Sequence, residues 1–441
     1  MQSLDPEKLN LVSAQIASFL VCYTLIKLGY CIGLQKSILQ PSQSVPYLRF
    51  ECDSRLQAFR LLPHKKQKFI SLVEAILDSS YVSMTDLQRL AGKCMSMSMA
   101  VPGARLFTNE INMAISRASR SSRPLPLSVP LRPEIEHWLF LKSWSGFFPW
   151  RLERHHQFVM FTDASSYRWA GVLNPNAVPL CASDYWSGEI LSSDIAVKEA
   201  LALSNALSSF ALTIKDSRVD VYVDSSALFH AWNGQSARYH FLSDALKSIF
   251  EALMSTNCIL RLFHVPSVNN LADRPSRSLS LADSRLSVSC WKRLQDAFGA
   301  PNGHSVDLMA LPSNVMRSST GAMLPFFSLH PTPGCSGVSV FSQSPDIHPP
   351  LLFSNPYVFP PICLIPNVLR FMSSFPVSFT IVVPDVWPRR FWWALLPHCP
   401  SSSLLLAREG QVGVLHPPSK SGYQNSWPLP WDLWAFRIDP L

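Results

Sequence analysis

The sequence predicts an α/β protein whose centre is a mixed β-sheet flanked by helices, with a mainly helical region before it and a proline-rich region after it. Three observations carry this reading. Apolar periodicity changes from helical spacing between residues 64 and 145 to alternating strands and helices from Gln157 onward. Charge divides at the same place: residues 1–150 hold 17 Lys+Arg against 10 Asp+Glu, whereas residues 151–285 hold 12 against 13. Proline divides the chain again, since 22 of its 36 prolines follow residue 285, where turns and short apolar runs replace clear helices. Four regions are expected, 1–62, 63–150, 151–285 and 286–441, the last boundary falling near Ala282 to Val288.

Taken in order, Val45 to Phe50 and Ala58 to Leu62 read as short strands around a turn at Asp53 and Ser54. His64 to Ser79 places Phe69, Ile70, Val73, Ile76 and Leu77 on one helical face, with Lys65, Lys66 and Lys68 in the first turn. A second helix begins after Ser83, and a third covers Arg105 to Ile115, with Arg117, Arg120 and Arg123 beyond it in a serine-rich linker, Ser116 to Ser128. Val159 to Asp163 and Trp169 to Leu173 form an expected hairpin about Ser165-Ser166-Tyr167, and Pro179 to Trp186 adds a third strand. Helix Ile195 to Phe210, strand Val219 to Val223, helix Tyr239 to Met254 and strand Ile259 to Val265 complete the order βββαβαβ.

Composition excludes some classes of function. With 441 residues, 47% hydrophobic and 15% charged, and a net charge of +8, the chain is too apolar for an unstructured regulator. The longest apolar run, Ile16 to Ile26, is 11 residues, short of the roughly 20 that cross a bilayer, so no membrane partner is expected. Met1 is followed by no basic stretch leading into an apolar one, which predicts an intracellular protein, with nucleus and cytoplasm both open. The ten cysteines show no CxxC pair and read as reduced thiols.

Four carboxylates stand at meaningful places. Asp163 ends the first strand of the central region and Asp224 ends the strand Val219 to Val223; Glu199 lies among Ala and Leu in the helix Ile195 to Phe210, and Asp273 follows the last strand. Acids at the ends of neighbouring strands converge on one sheet edge, where a packed helix can bring a glutamate. Such clusters repel unless cations compensate them, and Mg²⁺ favours hard oxygen ligands. Two ions about 4 Å apart suit phosphodiester hydrolysis. Thirteen acids occur between residues 151 and 285, so context selects these four. For Glu199 the competing reading is a solvated helix surface, and for Asp273 the start of a helix.

These motifs carry a resemblance. Residues 157–278 resemble a type-1 ribonuclease H domain of the retroelement kind, through Asp163-Ala164-Ser165, Glu199 in its helix, Asp224-Ser225-Ser226 and Asn269-Asn270-Leu271-Ala272-Asp273-Arg274-Pro275-Ser276-Arg277. The wording is especially similar to DIRS-type and gypsy-like retrotransposons. Upstream, Leu28-Gly29-Tyr30, Gln35-Lys36-Ser37 and Gln43 to Phe50 resemble the end of a reverse-transcriptase palm and its primer-grip hairpin, followed by thumb and connection helices. The resemblance implies a ribonuclease H-like five-stranded mixed sheet and endonucleolytic hydrolysis of the RNA strand of RNA–DNA hybrids. It also implies two Mg²⁺ ions, or Mn²⁺ instead, on Asp163, Glu199, Asp224 and Asp273.

The implied partners are a hybrid or other nucleic acid, held by Lys65, Lys66, Lys68, Arg117, Arg120 and Arg123, and other retroelement-encoded chains. Ordinary solvated charge is the competing reading of those six. The Tyr-x-Asp-Asp turn of polymerases is absent, because the chain starts after its expected place, so no DNA synthesis by this chain alone is expected. Arg49 stands where the grip motif has glycine, and Val265 to Asn269 shortens a histidine loop, leaving His264 as a strand-end residue. In the tail, Asn355, Pro356 and Tyr357 resemble part of the Asn-Pro-Pro-Tyr motif of phage-type adenine methyltransferases, which implies a degenerate, Rossmann-like region. Trp387, Trp392 and Trp393 read there as core or shielding residues. A hybrid-binding remnant without turnover is the alternative function.

Overall fold

A computed structural model describes residues 6–440 except 48, 49, 122, 123, 128, 145, 151–153, 238, 350, 424 and 425. The chain divides into two units, Met1–Leu152 and Glu153–Leu441. Arg49 and Arg123 therefore lie outside the described residues.

The first unit opens with helix α1 (Pro6–Lys27). Its window Asn10–Lys27 is 18 residues long, has a mean hydropathy of 1.3 and is not buried, so by length and composition it could cross a membrane. The apolar stretch is longer than the 11-residue run because Asn10, Ser13 and Gln15 are polar but uncharged, and they lengthen the helix without adding charge. Strands β1 (Ser44–Tyr47), β2 (Phe50–Asp53), β3 (Ala58–Leu61) and β4 (Phe148–Pro149) form an antiparallel sheet in that order. Helix α2 (Pro63–Leu77) starts with proline at its first turn, where no intrahelical N–H is needed, and buries Phe69, Ile70, Val73 and Ile76.

Helix α3 (Met84–Met97) is capped by Ser83, whose hydroxyl accepts the Asp86 N–H at 3.1 Å. Helix α4 (Asn109–Ser121) starts and ends later than the sequence suggested. Ala118, buried with Ile111 and Ala114, continues the apolar stripe, so Arg117 and Arg120 are helical and the expected linker begins as helix.

In the second unit, β5 (Gln157–Ala164), β6 (Arg168–Leu173), β7 (Leu180–Tyr185), β8 (Arg218–Val223) and β9 (Ile259–His264) form one sheet in the order β9-β8-β5-β6-β7. Tight turns make β5, β6 and β7 antiparallel neighbours, while helical crossovers make β8 parallel to both β5 and β9. Helices α6 (Ile195–Ser209) and α8 (His240–Thr256) follow the order expected, with α7 (Ser226–Gly234) between them, whereas α5 (Leu131–His137) belongs to the first unit. One sheet face carries Met160, Val219, Val221 and Val223, all fully buried. At Gly171 a Cβ would lie 2.6 Å from Ala206 Cβ, so only glycine lets α6 approach this closely. On the opposite face Phe161, Tyr222 and Phe263 stack across three strands, with centroids 5.0 and 5.2 Å apart.

The tail is folded. After α9 (Val288–Phe298), strand β10 (Val306–Asp307) is bridged in parallel by Phe326, beside β11 (Phe327–Ser328) and β12 (Gly337–Val338), which also pair in parallel. Strands β13 (Pro356–Val358), β14 (Phe379–Asp385), β15 (Ser403–Ala407) and β16 (Asp432–Ile438) complete a sheet ordered β10-β13-β14-β16-β15. Its first three strands are parallel and its last two antiparallel to their neighbours. Ile381 and Val383 pack under helix α10 (Ile365–Met372), and Val382, Leu433 and Ala435 pack under Trp291 and Leu294 of α9.

The tail joins the β9-β8-β5-β6-β7 sheet through Asp184 of β7, whose carboxylate accepts the Ser313 N–H at 3.1 Å and the Ser313 hydroxyl. Asn355 donates to the carbonyls of Phe298 and Gly303 at 3.0 and 3.2 Å and accepts from Arg437, while Tyr357 is buried against Trp291. Both are thus part of the packing. Trp392 and Trp393 are core residues, whereas Trp387 is 84% exposed and shields nothing.

Candidate metal centre

Register builds the site. Phe161 of β5 pairs with Tyr222 of β8, so two residues on, Asp163 stands level with Asp224, and period-2 alternation puts both on the face of the aromatic row. Helix α6 is capped by Asp194, whose carboxylate accepts the Ala196 N–H at 2.8 Å. This places Glu199 in the second turn, where its Oε1 accepts the Ala164 N–H at 3.2 Å. The carboxylates of Asp163, Glu199 and Asp224 offer oxygens that all lie within 4.8 Å of one another. Asp163 and Glu199 are buried, and Asp224 is half-buried.

The segment after β9 closes the site. Ser276 donates its hydroxyl to Asp163 Oδ2, and Asn270 donates to Asp163 Oδ1 at 3.4 Å and to the Thr162 carbonyl at 3.0 Å. Neither residue was singled out from the sequence, although both lie in the motif around Asp273. Asp273 opens the one-turn helix Asp273–Ser276 and is not part of the trio. Its Oδ1 accepts from Arg277 Nε at 2.8 Å and lies 2.7 Å from Nη2. Its charge still reaches Asp163. His264 meets the Asp224 carbonyl at 3.1 Å through Nε2, as a strand-end residue would.

Electrostatics point to an unmet cation. Burial, followed by the charges of Asp163 and Asp224, pushes the Glu199 carboxyl up to about 9. Burial also raises Asp163, with Ser276 opposing and the charges of Asp224 and Asp273 adding. Glu199 Oε2 is buried with no hydrogen-bond partner among the described residues. Lys198, next in sequence, does not compensate, since its ammonium donates to the Ser166 and Leu191 carbonyls at 2.9 and 2.8 Å. Three hard oxygens and an orphaned buried one fit Mg²⁺ or Mn²⁺.

In the first unit the basic residues are less alike than their spacing suggested. Lys65 and Lys68 are exposed and share a cavity of about 300 Å³ with Lys93, which the sequence did not single out because it lies on α3. Burial and the positive Arg89, Lys65 and Lys68 lower the Lys93 ammonium. Lys66 instead donates to the Trp144 carbonyl at 2.7 Å. Arg117 is exposed on α4, in the same helix as Arg120.

A central strand continued on one side by the rest of a three-stranded antiparallel meander and flanked on the other by two parallel strands, with acids at the ends of the adjoining central pair and a glutamate from the covering helix, describes a ribonuclease H-like α/β fold. No protein-family model matches the chain, and no curated protein sequence matches it. Among solved structures it is similar to the N-terminal RNase H domain of a Mycobacterium tuberculosis protein fused to maltose-binding protein, at 14% identity and a TM-score of 0.24, over 27% of this chain and 88% of that one. It is similar to RNase H1 from Halobacterium salinarum at 17% identity and a TM-score of 0.24, over 27% and 93%. A foamy viral protease-reverse transcriptase in complex with an RNA/DNA hybrid aligns at 15% identity and a TM-score of 0.28, over 62% of this chain and 37% of that one.

Proposed function

We propose that residues 157–278 form a metal-dependent endonuclease that hydrolyses the RNA strand of RNA–DNA hybrids. The observation that carries this reading is the trio Asp163, Glu199 and Asp224, brought within 4.8 Å at one sheet edge, where the charge of Arg277 offsets burial and mutual repulsion only in part. Divalent ions held there would supply Lewis acidity toward a phosphodiester and its attacking water. The chain's own residues prepare the place. Ser276 and Asn270 fix the rotamer of Asp163, the Ala164 N–H fixes Glu199, and the β5–β8 register fixes Asp224. Asp273 lies outside the trio, paired with Arg277, and would act as a fourth ligand only on leaving that pair.

A hybrid suits this site because its 2′-hydroxyls mark the RNA strand while its DNA backbone offers phosphates to basic side chains. The retroelement motifs of residues 10–285 support an origin in a DIRS-type polyprotein. One observation favours a second reading, a hybrid-binding remnant without turnover: Asp273 is already paired with Arg277. Labelled hybrid incubated with purified chain in Mg²⁺ or in EDTA separates the two. Cleavage in Mg²⁺ alone, lost in Asp224→Asn with the fold kept, is expected. Equal cleavage by variant and parent from matched preparations would sink the assignment, and binding without any cleavage would select the remnant.

A further inference from the structure

A crevice of about 280 Å³ lies where the tail meets the first sheet of the second unit. Its position is set by topology. Met309 follows β10, Ser328 ends β11, Phe341 follows β12 and Phe359 follows β13, and all four line the crevice. Since β10 is parallel to β13 and to the bridge at Phe326, and β11 to β12, these residues sit at the carboxyl ends of parallel strands. Open α/β sheets place their ligands in the crevice outside those ends. Asn355 precedes β13 at the opposite end and is consumed by packing, so it contributes nothing here.

The walls are apolar, with Met309, Phe341, Phe359 and Leu364, and one corner is polar. Arg168 is held there by donation from Nη1 to the Tyr185 hydroxyl and from Nη2 to Ser183 Oγ, both at 2.7 Å. Its Nε and the Ser328 hydroxyl are buried with no hydrogen-bond partner among the described residues. Asp283 lies 3.9 Å from the same guanidinium, so the corner carries donors and acceptors but little net charge. Such a corner matches the donor–acceptor edge of a heterocycle, and the aromatic walls match its faces. A phosphate dianion would meet the Asp283 carboxylate.

We propose that this crevice binds an uncharged planar heteroaromatic molecule of nucleobase to nucleoside size. The site is separate from the carboxylate trio and does not rest on the nuclease reading. Calorimetric titration of the full chain with adenosine, guanosine, cytidine and uridine, and with each 5′-monophosphate, tests it. At least one nucleoside is expected to saturate with a Kd below about 1 mM, and its monophosphate to bind about tenfold more weakly. Leu364→Trp, which fills the crevice, is expected to weaken the nucleoside about tenfold or more while hybrid cleavage stays at the parent level. Should thermal melting show that variant unfolded, Met309→Phe replaces it. Failure of every nucleoside to saturate, a monophosphate that binds as tightly, or filled variants that bind like the parent would overturn the proposal.

Discussion

Glu199→Gln should make the metal-free protein more stable while abolishing cleavage, and the size of the gain follows from the site. Folding takes a carboxyl that ordinarily titrates near 4.5 and pushes it up to about 9, because it is buried beside Asp163 and Asp224. The folded state therefore holds a proton that the unfolded chain has released. With the folded value raised, the contribution is fully favourable below the unfolded value and is lost as pH rises through the folded one. Each pH unit above 4.5 costs the fold about 1.4 kcal/mol, so at pH 7 the penalty is about 3 kcal/mol.

Glutamine carries no such penalty, keeps an acceptor for the Ala164 N–H and adds a donor toward the two aspartates. In a unit of this size that difference is a rise in Tm of roughly 5–10 °C in EDTA. Melting curves for parent and variant between pH 5 and pH 8 test it, since the gap should widen with pH. Mg²⁺ should narrow the gap by stabilising the parent more. Parallel pH curves, or a less stable variant, would refute the reasoning that burial and like charge dominate Glu199.

Other outcomes are expected from the same contacts. Ser276→Ala removes the hydroxyl that holds Asp163 down, so the acid limb of the pH–rate profile for hybrid cleavage should move to higher pH; a superimposable profile would count against the contact. Replacing Lys65 and Lys68 by alanine should flatten the salt dependence of hybrid binding by up to about 0.9 per lysine. Lys66→Ala should leave that slope alone and lower stability by about 1 kcal/mol, because its ammonium holds the Trp144 carbonyl. Ser313→Ala should destabilise the second unit by about 1–3 kcal/mol in urea. Because burial pushes Asp184 up to about 7, the favourable contribution of this carboxyl is lost as pH rises through that value, so the Ser313 effect should be larger at pH 8 than at pH 6.

The central sheet was legible because its strands are short apolar runs bounded by polar turns, and each was placed within a few residues. Asp163 and Asp224 were legible for the same reason, since a carboxylate closing such a run has no packing role. Ser276 and Asn270 were not, because their partner is 107 or more residues away and nothing local marks a serine or asparagine as holding a distant acid. In helix α1 the unbroken run undercounted the apolar length, because mean hydropathy over an 18-residue window tolerates uncharged polar residues. The end of α4 was misjudged because serine and arginine look like linker, whereas Ala118 keeps the helical stripe buried. The tail's two-residue strands β10, β11 and β12 are too short to leave any period in the sequence, so pairing alone defines them, unlike the seven-residue β14 and β16.

The row Phe161, Tyr222 and Phe263 also works as a check on assembly. Were β8 to pair one residue out of step with its neighbours, both ring stacks would part, forfeiting about 0.5–1.5 kcal/mol each. The same slip would turn Asp224 to the face covered by α6, away from Asp163. Chains that mispair are thus both less stable and unable to gather the trio, so the population that survives folding is the one whose acids are already aligned.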